Sequence, residues 1–192
     1  MKRLFIFDVD GVLLDLWPAM RSVFACYYNM SLSDKDWDDI IDDFLHNPQP
    51  YLEFGEYFSQ SQTFKNLLPV KGMPELVFSL SNHCFDLAIV SSADPAYIEQ
   101  RRQNIKEHYA DCFEKIICVG MKQTKEEALR QVASGYDEVF FVDDNPGICL
   151  RVSVLLPARF GLKTNIICFY GRALTIPASK RPEMPKIFLI SH

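Results

Sequence analysis

The stretch that decides the fold is Leu4-Phe5-Ile6-Phe7-Asp8-Val9-Asp10-Gly11-Val12. Its first four residues form an unbroken apolar run, the pattern of a strand buried on both faces of a parallel sheet. The run ends in two acids, two residues apart, followed at once by a glycine. In extended chain, positions 8 and 10 point the same way, so both carboxylates come to the carboxyl edge of the sheet. Open α/β sheets bind their ligands at that edge. Two like charges so close raise each other's pKa unless a cation or a shared proton relieves them. The pair reads either as a Mg2+-assisted site or as a polar turn, because Asp and Gly are also common turn residues.

The arrangement recurs. Val139-Phe140-Phe141-Val142 is a second apolar run, and it ends in Asp143-Asp144-Asn145-Pro146. Two strands ending in paired acids within one α/β chain are hard to assign to chance. Between them, Leu87-Ala88-Ile89-Val90 leads into Ser91-Ser92-Ala93-Asp94-Pro95, with Pro95 opening a helix. A hydroxyl beside the free N–H groups of a helix start can bind phosphate oxygens. Serine after a strand is also ordinary loop chemistry. The strand Lys115 to Val119 is followed by a loop, Gly120 to Thr124. Lys125 then falls in the first turn of a helix running to about Ala133. A lysine there opposes the helix macrodipole, which is explained if it faces an anion. Lys122 is a rival for that role. A final strand is expected over Asn165 to Phe169.

These stretches, in this order, resemble the four motifs of the haloacid dehalogenase-like (HAD) superfamily, phosphatase branch, spanning residues 4 to about 147. The resemblance implies a Rossmann-like open parallel sheet with a small all-α cap inserted after the first strand. It implies that Asp8 is the nucleophile, forming an aspartyl-phosphate, and that Asp10 acts as acid and then base. It implies a Mg2+ site built from Asp8, Asp10, Asp143 and Asp144, with Asp10 contributing its backbone carbonyl. Ser91, Ser92 and Lys125 would hold the phosphoryl oxygens. Haloalkanoate dehalogenases of this superfamily lack an acid at the position of Asp10, so its presence implies phosphate chemistry.

Residues 14–69 interrupt the strand–helix alternation. Pro18 near a helix start and apolar Met20, Val23, Phe24 and Tyr27 give a 3.6-residue stripe. Ser33 with Asp36 three residues on reads as a capping box. Trp37, Ile40, Ile41, Phe44 and Leu45 then form one helical face, opposite Asp34, Asp38, Asp39, Asp42 and Asp43. Asn47-Pro48 stops that helix, and a third helical stretch is expected from about Tyr51 to Leu67. The segment holds 11 of the 25 aromatic residues, and nine acids against three bases, so its acidity disfavours polyanionic substrates. Its aromatic residues read as helix packing, with nucleobase stacking as the alternative. The expected division is residues 1–13 and 70–171 as catalytic core, 14–69 as cap and 172–192 as tail. That tail carries Pro177, Pro182 and Pro185, and Lys186 to Ile190 could add an edge strand or dock on the core.

The 192 residues, 48% hydrophobic, suffice for one core and a small appendage. No apolar run reaches the roughly 18 residues of a membrane span. The sequence enters an acid-bearing strand directly after Met1-Lys2-Arg3, which argues against a cleaved leader. Six cysteines without a Cys-x-x-Cys pair suggest free thiols and a cytoplasmic protein. The net charge is −5 and no basic cluster points to nucleic acid. The expected partner is a small phosphorylated metabolite. The function expected is Mg2+-dependent hydrolysis of a small phosphate monoester, with a phosphomutase or a 5'-nucleotidase-like specificity as alternatives. A non-catalytic binding protein of the same fold is the reading from a different class.

Overall fold

A computed structural model describes residues 1–92, 97–120, 124–160, 163–170 and 187–191. It divides the chain into two compact units: Met1–Leu14 with Pro69–His192, and Asp15–Leu68. The first unit is a six-stranded sheet of β1 (Arg3–Phe7), β2 (Asp86–Ser92), β3 (Lys115–Val119), β4 (Glu138–Asp143), β5 (Lys163–Tyr170) and β6 (Ile187–Ser191). All pairings are parallel, in the order β3-β2-β1-β4-β5-β6. The chain runs outward from β1 through β2 to β3, then returns to the other side of β1 as β4. That reversal makes the crevice between β1 and β4 the topological switch point.

Alternation along β1 sorts its side chains onto the two faces of the sheet. Leu4 and Ile6 join Ala88, Val90, Val139, Phe141 and Ile166 in one buried cluster. Helix α7 (Lys125–Ala133) adds Ala128, Leu129, Val132 and Ala133 to it, and α8 (Pro146–Phe160) adds Cys149 and Val152. On the other face Phe5 stacks on Phe140, its register partner, with ring centroids 4.3 Å apart. Helix α6 (Ile98–Tyr109) brings Tyr109 against Phe113, and Phe113 against Phe7. Helix α5 (Met73–Asn82) precedes β2.

The chain beyond β1 turns tightly. The N–H groups of Leu13 and Leu14 both donate to the Val9 carbonyl, and Gly11 sits at φ +82°, a left-handed conformation that favours glycine. This is why the acids are followed by Gly. The Leu13 carbonyl then accepts from Val70 N–H at 3.0 Å and from the Tyr109 hydroxyl at 2.5 Å.

The second unit contains α1 (Leu16–Tyr27), α2 (Asp34–His46), α3 (Leu52–Gln60) and α4 (Gln62–Lys65). Ser33 and Asp36 form the reciprocal capping box: Asp36 N–H donates to Ser33 Oγ at 3.2 Å and Ser33 N–H to Asp36 Oδ2 at 3.1 Å. The third helical stretch is not continuous. Ser61 breaks it, its hydroxyl accepting from Phe64 N–H at 3.0 Å to start a new turn. The core is Met20, Phe24, Trp37, Phe54 and Phe58. Packing therefore uses most of the large aromatic side chains, whereas Tyr27, Tyr28 and Tyr57 remain substantially exposed. The five α2 acids opposite Trp37 are exposed as well. The unit's two ends meet, Asp15 N–H donating to the Leu68 carbonyl at 2.9 Å.

β6 is the edge strand that the sequence allowed, pairing parallel with β5. Lys122 and Pro95 lie outside the described residues. Among the described residues no helix is long and apolar enough to cross a membrane.

Candidate active site

Asp8 follows the last residue of β1 and continues its ladder, its N–H donating to the Val142 carbonyl at 2.9 Å. Asp143 is the last residue of the neighbouring β4. Adjacent parallel strands thus end in acids on either side of the switch point. Asp143 is fully buried and Asp8 nearly so. Carboxylate oxygens of Asp8, Asp143 and Asp144 lie within 4.8 Å of one another.

Lys125 joins the first two. Its Nζ lies 2.9 Å from Asp8 Oδ1 and donates to Asp143 Oδ2 at 2.8 Å. The buried residues of α7 are Lys125, Ala128, Leu129, Val132 and Ala133. This is a regular helical stripe in which the lysine occupies the first core-facing position. Burial pulls the Lys125 pKa downward, but Asp8 and Asp143 outweigh it and push it up to about 12. Asp143 is pushed up to about 6, chiefly by burial and then by the Asp8 charge, against the pull of Lys125. Its other oxygen accepts from Asn145 N–H at 2.8 Å. Asn145 Oδ1 in turn accepts from Gly147 and Ile148 N–H, capping α8 with Pro146 at its first position. The Asp-Asp-Asn-Pro sequence is therefore strand end, acid pair, cap and helix start without a spacer.

Asp10 has a different cationic partner. Its Oδ1 lies 3.0 Å from Nε of Arg101, a buried residue on α6. Burial raises the Asp10 pKa, Arg101 works against that, and Asp8 adds to it. The sequence reading did not single out Arg101. A signal was present: Ile98, Arg101, Ile105 and Tyr109 are spaced three, four and four apart, so the arginine interrupts an apolar helical stripe.

Ser91 and Ser92 close β2, the strand on the far side of β1 from β4. Ser91 is buried and lies two residues past Ile89, the register partner of Phe7, so the serines reach the same sheet edge as Asp8. The structure thus gathers Asp8, Lys125, Asp143 and Asp144 into one cluster. It sets Asp10 on Arg101, and it puts Ser91 and Ser92 at the adjoining strand end.

An open parallel sheet with acids at two strand ends flanking the switch point, and a lysine between them, defines a haloacid dehalogenase-like hydrolase of the phosphatase type. The chain belongs to the family described as 5' nucleotidase, deoxy (pyrimidine), cytosolic type C, whose family model matches residues 2–131. That match contains Asp8, Asp10, Ser91, Arg101 and Lys125 but ends before β4, so Asp143 and Asp144 enter through geometry. The protein is accordingly a hydrolase acting on phosphate monoesters.

Solved structures agree on the fold. A hydrolase from Streptococcus pneumoniae TIGR4 superposes with a TM-score of 0.60 at 18% identity, over 84% of this chain and 90% of that one. A candidate haloacid dehalogenase-like hydrolase from Bacteroides fragilis gives 0.61 at 15% identity, over 100% and 97%. A candidate β-phosphoglucomutase from Thermotoga maritima gives 0.61 at 18%, over 93% and 89%. No curated protein matches the sequence significantly.

Proposed function

We propose that the protein is a Mg2+-dependent phosphatase that hydrolyses a small phosphate monoester through an aspartyl-phosphate on Asp8. The observation that carries this reading is the cluster of three carboxylates within 4.8 Å of one another, with Lys125 between Asp8 and Asp143. All the donors are hard oxygens, the set that Mg2+ prefers, and the cluster is too acidic for one lysine to neutralise. Asp8, Asp143 and Asp144 would hold the ion, with the Asp10 carbonyl as the contact that the superfamily resemblance implies. When bound, Mg2+ would neutralise charge building on the transferring phosphoryl group.

The remaining steps belong to the chain's own residues. A carboxylate oxygen of Asp8 attacks phosphorus as the ester P–O bond breaks, and Asp10 gives its proton to the departing oxygen. Asp10, now a carboxylate, takes a proton from water whose oxygen attacks the phosphorus. The Asp8–phosphorus bond then breaks, releasing inorganic phosphate and restoring both acids. Lys125 and Ser91, with Ser92, orient the phosphoryl oxygens and oppose their charge. The raised pKa of Asp10 suits a group that must start protonated.

Family membership favours a nucleoside 5'-monophosphate, deoxy and pyrimidine, as the substrate class. Selection among substrates is assigned to residues 14–69, the segment the sequence reads as a cap. A cytoplasmic location belongs to the same reading, supported by the family's description. The test is a panel of phosphate esters with EDTA or with Mg2+. Hydrolysis should vanish in chelator, return with Mg2+ and be fastest on pyrimidine 5'-deoxynucleotides. Full activity in chelator would overturn the metal, and a preference for sugar phosphates would overturn the substrate class.

A further inference from the structure

Arg101 lies on the same buried side of α6 as Ile105 and Tyr109, with 3% of its surface exposed. A charge so far out of water is retained only against a strong desolvation penalty, and an apolar side chain would fill that place more favourably. The guanidinium lies 3.0 Å from a carboxylate oxygen of Asp10. The acids of the neighbouring cluster, Asp8 and Asp143, have Lys125 as a cation. Asp10 itself stands in the turn after β1, whose backbone is fixed by hydrogen bonds among Val9, Gly11, Leu13 and Leu14 and by those that Leu13 accepts from Val70 and Tyr109.

We propose that Arg101 is a positioning residue that fixes the carboxyl group of Asp10 for proton transfer to the leaving group. The inference rests on the reading of Asp10 as acid and base given above. A planar guanidinium with several donors holds a carboxylate in one orientation better than an ammonium does. It also keeps Asp10 from swinging toward the cation that Asp8, Asp143 and Asp144 would hold. Removing Arg101 leaves the nucleophile and the phosphate-binding groups in place, so its effect on the first step follows the demand for a proton. An alkyl phosphate, with a poor leaving group, depends on that proton. p-Nitrophenyl phosphate hardly does. The second step, in which Asp10 takes a proton from water, slows alike for every ester.

The experiment compares Arg101→Met, Arg101→Lys, Asp10→Asn and the double variant Asp10→Asn/Arg101→Met, each assayed in single turnover for release of the leaving group from an alkyl and from an activated aryl phosphate. In leaving-group release, Arg101→Met should lose about 10- to 100-fold on the alkyl ester, part of the roughly 10²- to 10⁴-fold carried by acid–base catalysis. Release of the aryl leaving group should change by less than about threefold, with the substrate concentration for half-maximal rate held within about twofold for both. Arg101→Lys should recover part of the loss. In the Asp10→Asn background, Arg101→Met should add almost nothing, because groups that act through each other are not additive. Equal losses on both esters, or losses that multiply in the double variant, would overturn the proposal. If Asp10→Asn fails to separate the two esters, the acid–base reading of Asp10 falls instead. If Arg101→Met does not fold, Arg101→Lys decides: a loss confined to the alkyl ester supports the proposal, and a uniform loss or none overturns it.

Discussion

β1 ends in acids separated by one residue, and β4 ends in acids side by side. At β4 the backbone stays regular up to Asp143, and Asn145 starts a helix immediately, so Asp143 and Asp144 both stay within reach of Asp8. At β1 the chain bends after Asp8 through a turn with Gly11 in the left-handed region. After that bend the two carboxylates take different cationic partners. Asp8 goes to Lys125 and Asp10 to Arg101. One strand end therefore concentrates charge and the other divides it. The difference teaches that spacing alone does not set a role; the turn that follows does.

The largest expected effect breaks the β1 pair at its first member. Asp8→Asn keeps the shape and removes the nucleophile, so turnover should fall by at least about 10⁴-fold and no phosphoenzyme should be trapped in acid. Labelled phosphate retained on Asp8→Asn protein would remove Asp8 from the role. Next comes the second member. Asp10→Asn should lose about 10² to 10⁴ on unactivated esters yet still accumulate label from an activated phosphate. Equal labelling of the two variants would erase the distinction drawn between them.

Lys125→Met tests the cluster itself. It leaves two buried carboxylates facing each other without their cation, and breaking a buried pair costs about 3–5 kcal/mol. The metal-free variant should show that loss in urea denaturation near neutral pH, and added Mg2+ should restore part of it by binding the folded state. An unchanged midpoint would show that Lys125 does not hold the acids together.

The smallest effect concerns pH. Asp143 titrates at about 6 in the metal-free fold, above its ordinary 3.8. A metal needs the carboxylate, so below about pH 6 a proton competes with it. Mg2+ affinity should be flat above that value and fall by about tenfold per pH unit beneath it. Calorimetric titration at pH 5 and 7.5 reads this directly. Affinity independent of pH would separate Asp143 from the cation. The same shift favours the metal-free fold at low pH, and that contribution fades as pH rises from about 4 through 6.

The apolar runs and their terminal acids were legible in the sequence because a buried parallel strand has only one composition. β3 appears at Lys115–Val119 and α7 at Lys125–Ala133, as periodicity indicates. The capping box at Ser33 was equally readable, since its partners are three residues apart. The break at Ser61 was missed because Phe58 and Phe64 both remain in helical, apolar surroundings, and only a hydroxyl at the junction marks it. Arg101 was hidden for another reason. Its partner lies some ninety positions earlier, and local pattern reading has no access to a pair formed by topology.

The hydrogen bond from Asp15 to the Leu68 carbonyl has a bearing on how such a protein can change over generations. The ends of the helical segment touch, so the chain leaves and re-enters the other unit at neighbouring residues. Closing such a loop grows only slowly more difficult with length, about 0.6 kcal/mol for each doubling. A lineage can therefore lengthen, shorten or exchange the segment without moving β1 by a residue or disturbing the acids at its end. The helical segment and the sheet can then drift at different rates within one gene. The aromatic surface formed by Tyr27, Tyr28 and Tyr57 is where such drift would meet least resistance.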